Sequence, residues 1–209
     1  MRIDPAAIPF VIIAALPAAV IAWVWGGLAA LPALLLPAAI AAFFRDPDRT
    51  ASQDSALVLS PADGTVMHAG AADPADAPDE SAWLQITIFL SVLDVHINRT
   101  PVSGRVTRVD YHPGTFLPAY KAEAARNERS EIWIDHGGIP IVTRQVVGIL
   151  ARRVVCRLTP GQQVEAGARL GLMKFGSRMD VFVPTSATLL VKSGERVRGG
   201  VTGLARLAV

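Results

Sequence analysis

Apolar and polar positions alternate in short runs over most of the chain, but not at its amino-terminal end. Residues 5–44, PAAIPFVIIAALPAAVIAWVWGGLAALPALLLPAAIAAFF, include no charged side chain, and the run stops abruptly at RDPDRTASQD. A membrane-crossing helix needs about 20 apolar residues. The run therefore holds two helices with a turn at Gly26–Gly27, a hairpin over residues 1–45. Prolines at positions 5, 9, 17, 32 and 37 are costly inside a soluble helix and better tolerated in a membrane one. Arg2 precedes the run and Arg45 and Arg49 follow it, which predicts both ends on the cytoplasmic side of the inner membrane. Trp23 and Trp25 fall near the turn, where an interfacial belt places aromatic residues. A shallow re-entrant hairpin fits the same pattern. A secretory signal has a much shorter apolar core.

From about Leu57 onward the period changes to two. WLQITIFL, GRVTRVDYH, SEIWIDHG, IPIVTRQVVGIL, RRVVCRLT and DVFVPTSATLLVKSG read as strands separated by Gly, Pro, Asp and Asn. LPAYKAEAARNERS reads as a short helix or loop, and AGAADPADAPDESA, Ala69 to Ala82, as an exposed loop. Two motifs recur. PADGTV at Pro61 and PVSGRV at Pro101 share P-x-x-G-x-V; GQQVEAG at Gly161 and GERVRGG at Gly194 share G-x-x-V-x-x-G. The fold class predicted for residues 46–209 is mainly β, a compact antiparallel domain with pseudo-repeated hairpins. It resembles the barrel-sandwich hybrid of biotinyl and lipoyl carrier domains, although no modifiable lysine stands at an obvious hairpin tip.

Composition sharpens this picture only in places. Charged residues make up 18% and hydrophobic residues 51%, in keeping with a membrane segment attached to a water-exposed domain. The net charge of +2, without a basic stripe interleaved with aromatics, argues against nucleic acid as a partner. The one cysteine, Cys156, cannot form an internal disulfide. No His, Cys or carboxylate pair has zinc spacing, so no metal site is expected.

The candidate chemistry sits in LMKFGSRMDVFVP, Leu172 to Pro184. Glycine is a poor strand residue and marks a bulge or close backbone approach. A serine hydroxyl that bends back on the preceding carbonyl is helped by glycine there, which lacks a Cβ. Such a nucleophile needs a base and a stabilised oxyanion. His96, in FLSVLDVHINRTPVSG, alternates with Asp94 and Asn98 on one face if the segment is a strand. A polar face ending an apolar strand is expensive unless it lines a site. Asp63, before Gly64, is by default a turn aspartate, and His68, His112 and His136 read as surface residues.

FFRDPDR, SPADGTV, DVHINRTPVSG, ARNER and KFGSRMDVFVP, in that order, resemble the short form of the phosphatidylserine decarboxylase family over Phe43 to Pro184. The resemblance implies a proenzyme that cuts itself between Gly176 and Ser177, giving a β chain of 1–176 and an α chain of 177–209 that stay in one folded unit. It implies a pyruvoyl cofactor made from Ser177, whose ketone takes up the amine of phosphatidylserine and accepts electrons as CO2 leaves. It maps Asp63, His96 and Ser177 onto the self-cleavage residues. Long-form members carry a second histidine where this chain has Arg99, which cannot act as a base at neutral pH but can hold a carboxylate or phosphate. Arg178, beside the cut, is a candidate grip for the lipid phosphate. Asn127, Glu128 and Arg129 are expected to line or order the site. Membrane lipids are implied partners; homo-oligomerisation stays open. The competing readings are a membrane-anchored hybrid-motif carrier or adaptor without self-cleavage, and a pyruvoyl decarboxylase of another serine-headgroup lipid.

Overall fold

The structure is a computed structural model in which residues 2–120, 122–149, 154–173 and 177–208 are described. The chain divides into two units, Met1–Asp48 and Arg49–Val209.

In the first unit, strand β1 (Arg2–Ile3) pairs antiparallel with β2 (Arg45–Asp46), so the two ends of the apolar run lie side by side. Between them run α1 (Ile8–Trp25), α2 (Gly27–Ala30) and α3 (Leu35–Phe43). Asp4 caps the entry turn by accepting the Ala6 N–H at 2.9 Å. Gly26, at φ 87°, breaks the helix at the predicted turn. The returning leg is not one helix. A 3-10 turn at Leu31–Leu34 separates α2 from α3, because Pro32 lacks the N–H that would continue the ladder. Burial is inverted relative to a soluble helix. Ala14 and Ala18, a small-x-x-x-small pair, are buried, whereas Ile12, Ile13, Leu16, Val20 and Trp23 are exposed. Small residues inside and large apolar ones outside suit packing in lipid. At about 1.5 Å per residue, the span Pro5–Trp25 measures about 30 Å, the thickness of a hydrocarbon core.

The second unit is mainly β. Its strands are β3 (Leu57–Leu59), β4 (Gly64–Ala71), β5 (Trp83–Leu90), β6 (Ile97–Arg99), β7 (Gly104–His112), β8 (Arg129–His136), β9 (Ile139–Val146), β10 (Val154–Cys156), β11 (Gln163–Val164), β12 (Arg169–Met173), β13 (Ser177–Pro184), β14 (Thr188–Leu189), β15 (Arg196–Val197) and β16 (Gly203–Arg206). Among the described residues the largest sheet runs β11-β7-β8-β9-β13-β5-β4-β15, flanked by two smaller sheets, β10-β12-β6 and β14-β16-β3.

These orders are palindromic, and the sequence repeats explain why. β7 pairs with β11 through Gly104↔Val164, and β4 with β15 through Gly64↔Val197. Each P-x-x-G-x-V motif thus meets one G-x-x-V-x-x-G motif, whose first glycine, Gly161 or Gly194, turns through a positive φ of 89° or 91°. The links at the crossing are reciprocal: Leu59 N–H donates to Pro101 O and Arg99 N–H to Pro61 O, both at 2.8 Å. Two pseudo-equivalent halves, offset by about 40 residues at this point, enclose a core of Val58, Ile86, Ile88, Leu90, Val106, Ile132, Ile134 and Leu170 among others.

Several local expectations change. LMKFGSRMDVFVP is not one strand: β12, ending at Met173, belongs to a small sheet and β13, beginning at Ser177, to the large one. The strand expected from Asp180 to Gly194 ends at Pro184, where the Ala187 N–H turns back onto the Pro184 carbonyl at 3.0 Å. In LPAYKAEAARNERS only Ala122–Arg126 is helical, as a 3-10 turn. The supposed exposed loop from Ala69 begins inside β4, and its Asp76 reaches the buried Arg144.

Candidate active site

Ser177 opens β13, the strand between β5 and β9, opposite Leu90. Strand alternation puts Ser177 on the core face with Met179, Val181 and Val183, and turns Arg178, Asp180 and Phe182 to the other face. Ser177 is fully buried, and its Oγ has no hydrogen-bond partner among the described residues. A buried polar atom left unpaired costs about 1–3 kcal/mol, and it calls for an explanation. Gly176 lies outside the described residues.

His96 is 1% exposed. Its carbonyl accepts the Met173 N–H at 3.2 Å, and its Nδ1 meets the Asp94 carbonyl at 2.9 Å. A carbonyl only accepts, so Nδ1 carries a proton, and in the tautomer this fixes the basic lone pair lies on Nε2. Leu90, six residues before His96, is the register partner of Ser177, and Met173, four residues before Ser177, is bonded to His96. The strand expected through Asp94 begins only at Ile97. Asp94 instead closes a turn, its Oδ2 accepting the Ser91 N–H and Oγ, both at 2.8 Å, and its Oδ1 accepting Arg196 at 2.5 Å. Burial pushes the Asp94 carboxyl up, but the Ser91 donors and the Arg196 charge outweigh it and hold it below the ordinary value.

Asn98, two residues beyond His96, is fully buried. Its Oδ1 accepts Gln145 Nε2 at 2.8 Å, while its Nδ2 and Gln145 Oε1 are buried without partners among the described residues. Gln145 pairs with Met179, on the same face as Ser177 and two residues along. The sequence pattern pointed to Asn98 by alternation; nothing in it singled out Gln145.

Asp63 and Arg99 meet the same turn. Asp63 accepts Arg49 Nη2 at 2.9 Å and the Gly199 N–H at 2.7 Å. Arg99 donates to the Gly167 carbonyl at 3.0 Å and packs so closely on Gly200 that a Cβ there would lie 2.8 Å from its Cδ. Asn127 is a clamp. Its Oδ1 accepts Thr115 Oγ1 and the Leu117 N–H, both at 2.9 Å, and its Nδ2 donates to Leu117 O at 2.8 Å and Val147 O at 2.9 Å. Arg129 donates to Ala125 O at 3.1 Å. Burial and the nearby Arg144 charge pull its guanidinium down, with Asp76, Glu131 and Asp180 opposing.

Arg178 does not share the Ser177 face. Its Nε donates to Asp180 at 2.7 Å and its Nη2 to Asp76 at 3.1 Å. Burial opposes its charge, but these two carboxylates prevail and raise its pKa. It lines a cavity of about 490 Å3 with Asp76, Gln85, Thr87, His68 and Tyr120. This charged face, with Arg144 bonded to Glu131 at 2.6 Å and to Asp76 at 2.8 Å, was not foreseen. The i, i+2 charges Arg178 and Asp180 in an otherwise apolar strand were its signal. One trio of metal-ligand type, Asp110, His112 and Glu131, comes together on β7 and β8, but Arg108 pairs with both its carboxylates and Arg144 with Glu131.

A family model described as phosphatidylserine decarboxylase matches residues 36–205. A phosphatidylserine decarboxylase proenzyme of Pelodictyon phaeoclathratiforme is 46% identical over 165 residues, 78% of this chain and 77% of that protein. One from Paramagnetospirillum magneticum is 43% identical over 203 residues, 95% of this chain and 84% of that protein. One from Saccharopolyspora erythraea is 41% identical over 208 residues, 98% of this chain and 88% of that protein.

Proposed function

Because the chain belongs to the phosphatidylserine decarboxylase family, we propose that it is made as a proenzyme, cuts itself between Gly176 and Ser177, and then converts phosphatidylserine to phosphatidylethanolamine and CO2. The observation that carries this reading is the Ser177 hydroxyl, buried and unpaired at the point where the chain passes between sheets.

In this reading Ser177 Oγ adds to the Gly176 carbonyl carbon while His96 Nε2 takes the hydroxyl proton. The peptide C–N bond breaks, the amine receives the proton, and an ester remains. Loss of the Ser177 α-proton and cleavage of the Cβ–Oγ bond release residues 1–176 with a new carboxylate. Tautomerisation, addition of water and departure of ammonia leave a pyruvoyl group at residue 177. That group supplies an electron sink for decarboxylation. His96 returns a proton to the α-carbon of the product. Arg178 takes the lipid phosphate in the cavity that it lines. Asp63 and Arg99 are positioning residues that brace the 199–200 turn against β6, and Asn127 and Arg129 order the loop before β8. The amino-terminal hairpin holds the enzyme in the inner membrane with the catalytic unit on the cytoplasmic side, where a lipid substrate is met without leaving the bilayer.

Denaturing electrophoresis and intact-mass measurement of the small fragment test this. The expected result is two fragments from the wild type, the smaller blocked by a pyruvoyl terminus, and a single 22.1 kDa chain from Ser177→Ala. A cut Ser177→Ala chain, or an intact wild type with full turnover, overturns the assignment. The latter favours the carrier or adaptor reading.

A further inference from the structure

Exposed apolar side chains are normal when scattered singly, so their placement decides what they mean. Leu90 pairs with Ser177, which puts the end of β5 beside the start of β13. Val146, the last residue of β9, pairs with Arg178 and with Arg129, the first residue of β8. Arg129 pairs in turn with His112, the last residue of β7. The connections that leave these strand ends therefore gather at one end of the large sheet, the end where β13 begins. They carry Val92 and Leu93 after β5, Phe116, Leu117 and Tyr120 between β7 and β8, and Ile149 after β9, all between 37% and 84% exposed. Two contacts join them. The Tyr120 ring stands edge-on to Phe89 of β5, with centroids 6.2 Å apart, and Asn127 Nδ2 donates to both the Leu117 and the Val147 carbonyls. The opposite end of the sheet differs. Its connections, residues 72–82, 137–138 and 185–187, hold no exposed large apolar side chain among the described residues.

We propose that this end of the second unit is a membrane-docking face, whose six apolar side chains enter the headgroup region of an anionic bilayer. The inference rests on the membrane placement proposed above, and the face itself uses no residue of the first unit. Charge favours lipid as the occupant. In sequence, the connections 91–96, 113–128, 147–153 and 174–176 hold five basic and three acidic residues, and two of the acids, Asp94 and Glu128, are buried. The connection 72–82 at the opposite end holds four acidic residues and no basic one. The unit is thus polarised along its strands, apolar and basic at one end and acidic at the other. An anionic leaflet attracts the first end and repels the second, while the apolar side chains gain by leaving water. Tyr120 suits the boundary, because its ring is apolar and its hydroxyl stays wet. It also lines the cavity with Arg178, so the face borders the pocket proposed for the lipid phosphate. Docking in this way brings the sheet end where β13 starts to the headgroups, while the acyl chains of a phospholipid stay in the bilayer.

The test uses the full chain, carrying Ser177→Ala to prevent cutting and Cys156→Ala to remove the native thiol, in phosphatidylcholine vesicles that contain phosphatidylserine. Nitroxide labels are attached one at a time through Leu93→Cys, Phe116→Cys or Ile149→Cys, and through Glu80→Cys at the opposite end. The three face labels should collide severalfold more with dissolved oxygen than with a water-soluble nickel chelate, and the Glu80→Cys label should show the reverse. Phosphatidylglycerol in place of phosphatidylserine should give the same result, because the face meets a charged apolar surface and not one headgroup. Adding Leu93→Asp and Ile149→Asp should bring the Phe116→Cys label to the level of the Glu80→Cys label. Face labels as open to nickel as the Glu80→Cys label overturn the proposal. Labels shielded from both reagents, as a second copy of the chain would shield them, also overturn it. Immersion with phosphatidylserine alone, the mark of single-lipid capture, does the same, as does an oxygen excess unmoved by the two aspartates. A chain that does not float with vesicles at all overturns the membrane placement itself.

Discussion

Replacing Asp94 with Asn removes a negative charge from the turn that presents His96 while nearly conserving shape. The carboxylate accepts two bonds from Ser91 and one from Arg196. Bonds to a charged group contribute about 1.5–3 kcal/mol each, against about 1 kcal/mol for neutral ones. Asn keeps a carbonyl oxygen for Ser91, so the loss there is charge assistance. The Arg196 side chain is 64% exposed, and an ion pair so open to solvent adds about 0–1 kcal/mol. The sum is about 1–5 kcal/mol, or about 2–20 °C in melting temperature for a domain of this size.

The pH dependence is the sharper readout. The Asp94 carboxyl is held below the usual 3.8 in the folded protein. Its contribution is therefore complete above the unfolded value, near pH 4, and is lost as pH falls through the lower folded value. Asn has no such dependence. Melting curves of wild type and Asp94→Asn, both carrying Ser177→Ala to prevent cutting, should differ by a constant amount from about pH 5 to 8 and converge below about pH 4. A gap that persists unchanged at pH 3, or no gap at pH 7, refutes the claim that the Ser91 and Arg196 contacts stabilise the ionised carboxylate.

The remaining predictions concern packing and the hairpin. Gly171→Ala places a Cβ 1.9 Å from the Val155 carbonyl oxygen, which only backbone movement relieves. It should cost about 1–3 kcal/mol or more and reduce the yield of soluble folded chain, and a melting temperature equal to wild type would contradict the close pairing of β10 and β12. Trp23 and Trp25 are 88% and 70% exposed; in a Trp83→Phe, Trp133→Phe background their fluorescence should be quenched by brominated lipids in vesicles. Equal quenching with and without the bromine label would remove the hairpin from the membrane.

The apolar runs and their flanking turn signals located β5 and β7 to the residue, although β5 is buried on both faces and β7 carries a register shift between Val106 and Arg108. The two repeat motifs mark the hairpin pseudo-repeat in the sequence itself. Boundaries failed where a strand changes sheets, as around Ser177, since an apolar run reads alike whether it serves one sheet or two. Ser177 and His96 stood out in the sequence as candidates, and the fold buries both. The partners of Arg178 did not stand out, because Asp76 comes from a loop a hundred residues away in sequence and only tertiary contact joins them.

Strand alternation explains why the two sides of β13 differ so much. Ser177 and Arg178 are neighbours in sequence, yet one faces an apolar core and the other a set of buried ion pairs with an open cavity. In the proposed self-cleavage the Ser177 hydroxyl would react on the dry side, where a hydrogen-bond donor counts for more than it does in water. On the charged side Arg178 is held by two carboxylates and its charge is maintained despite burial, the state that the proposed grip on a lipid phosphate requires. The proposed cut before the first residue of a central strand would let the new terminus at residue 177 border both environments. The rest of β13 is anchored by pairing along β5 and β9, which would keep the small fragment in place once the bond to its predecessor is gone.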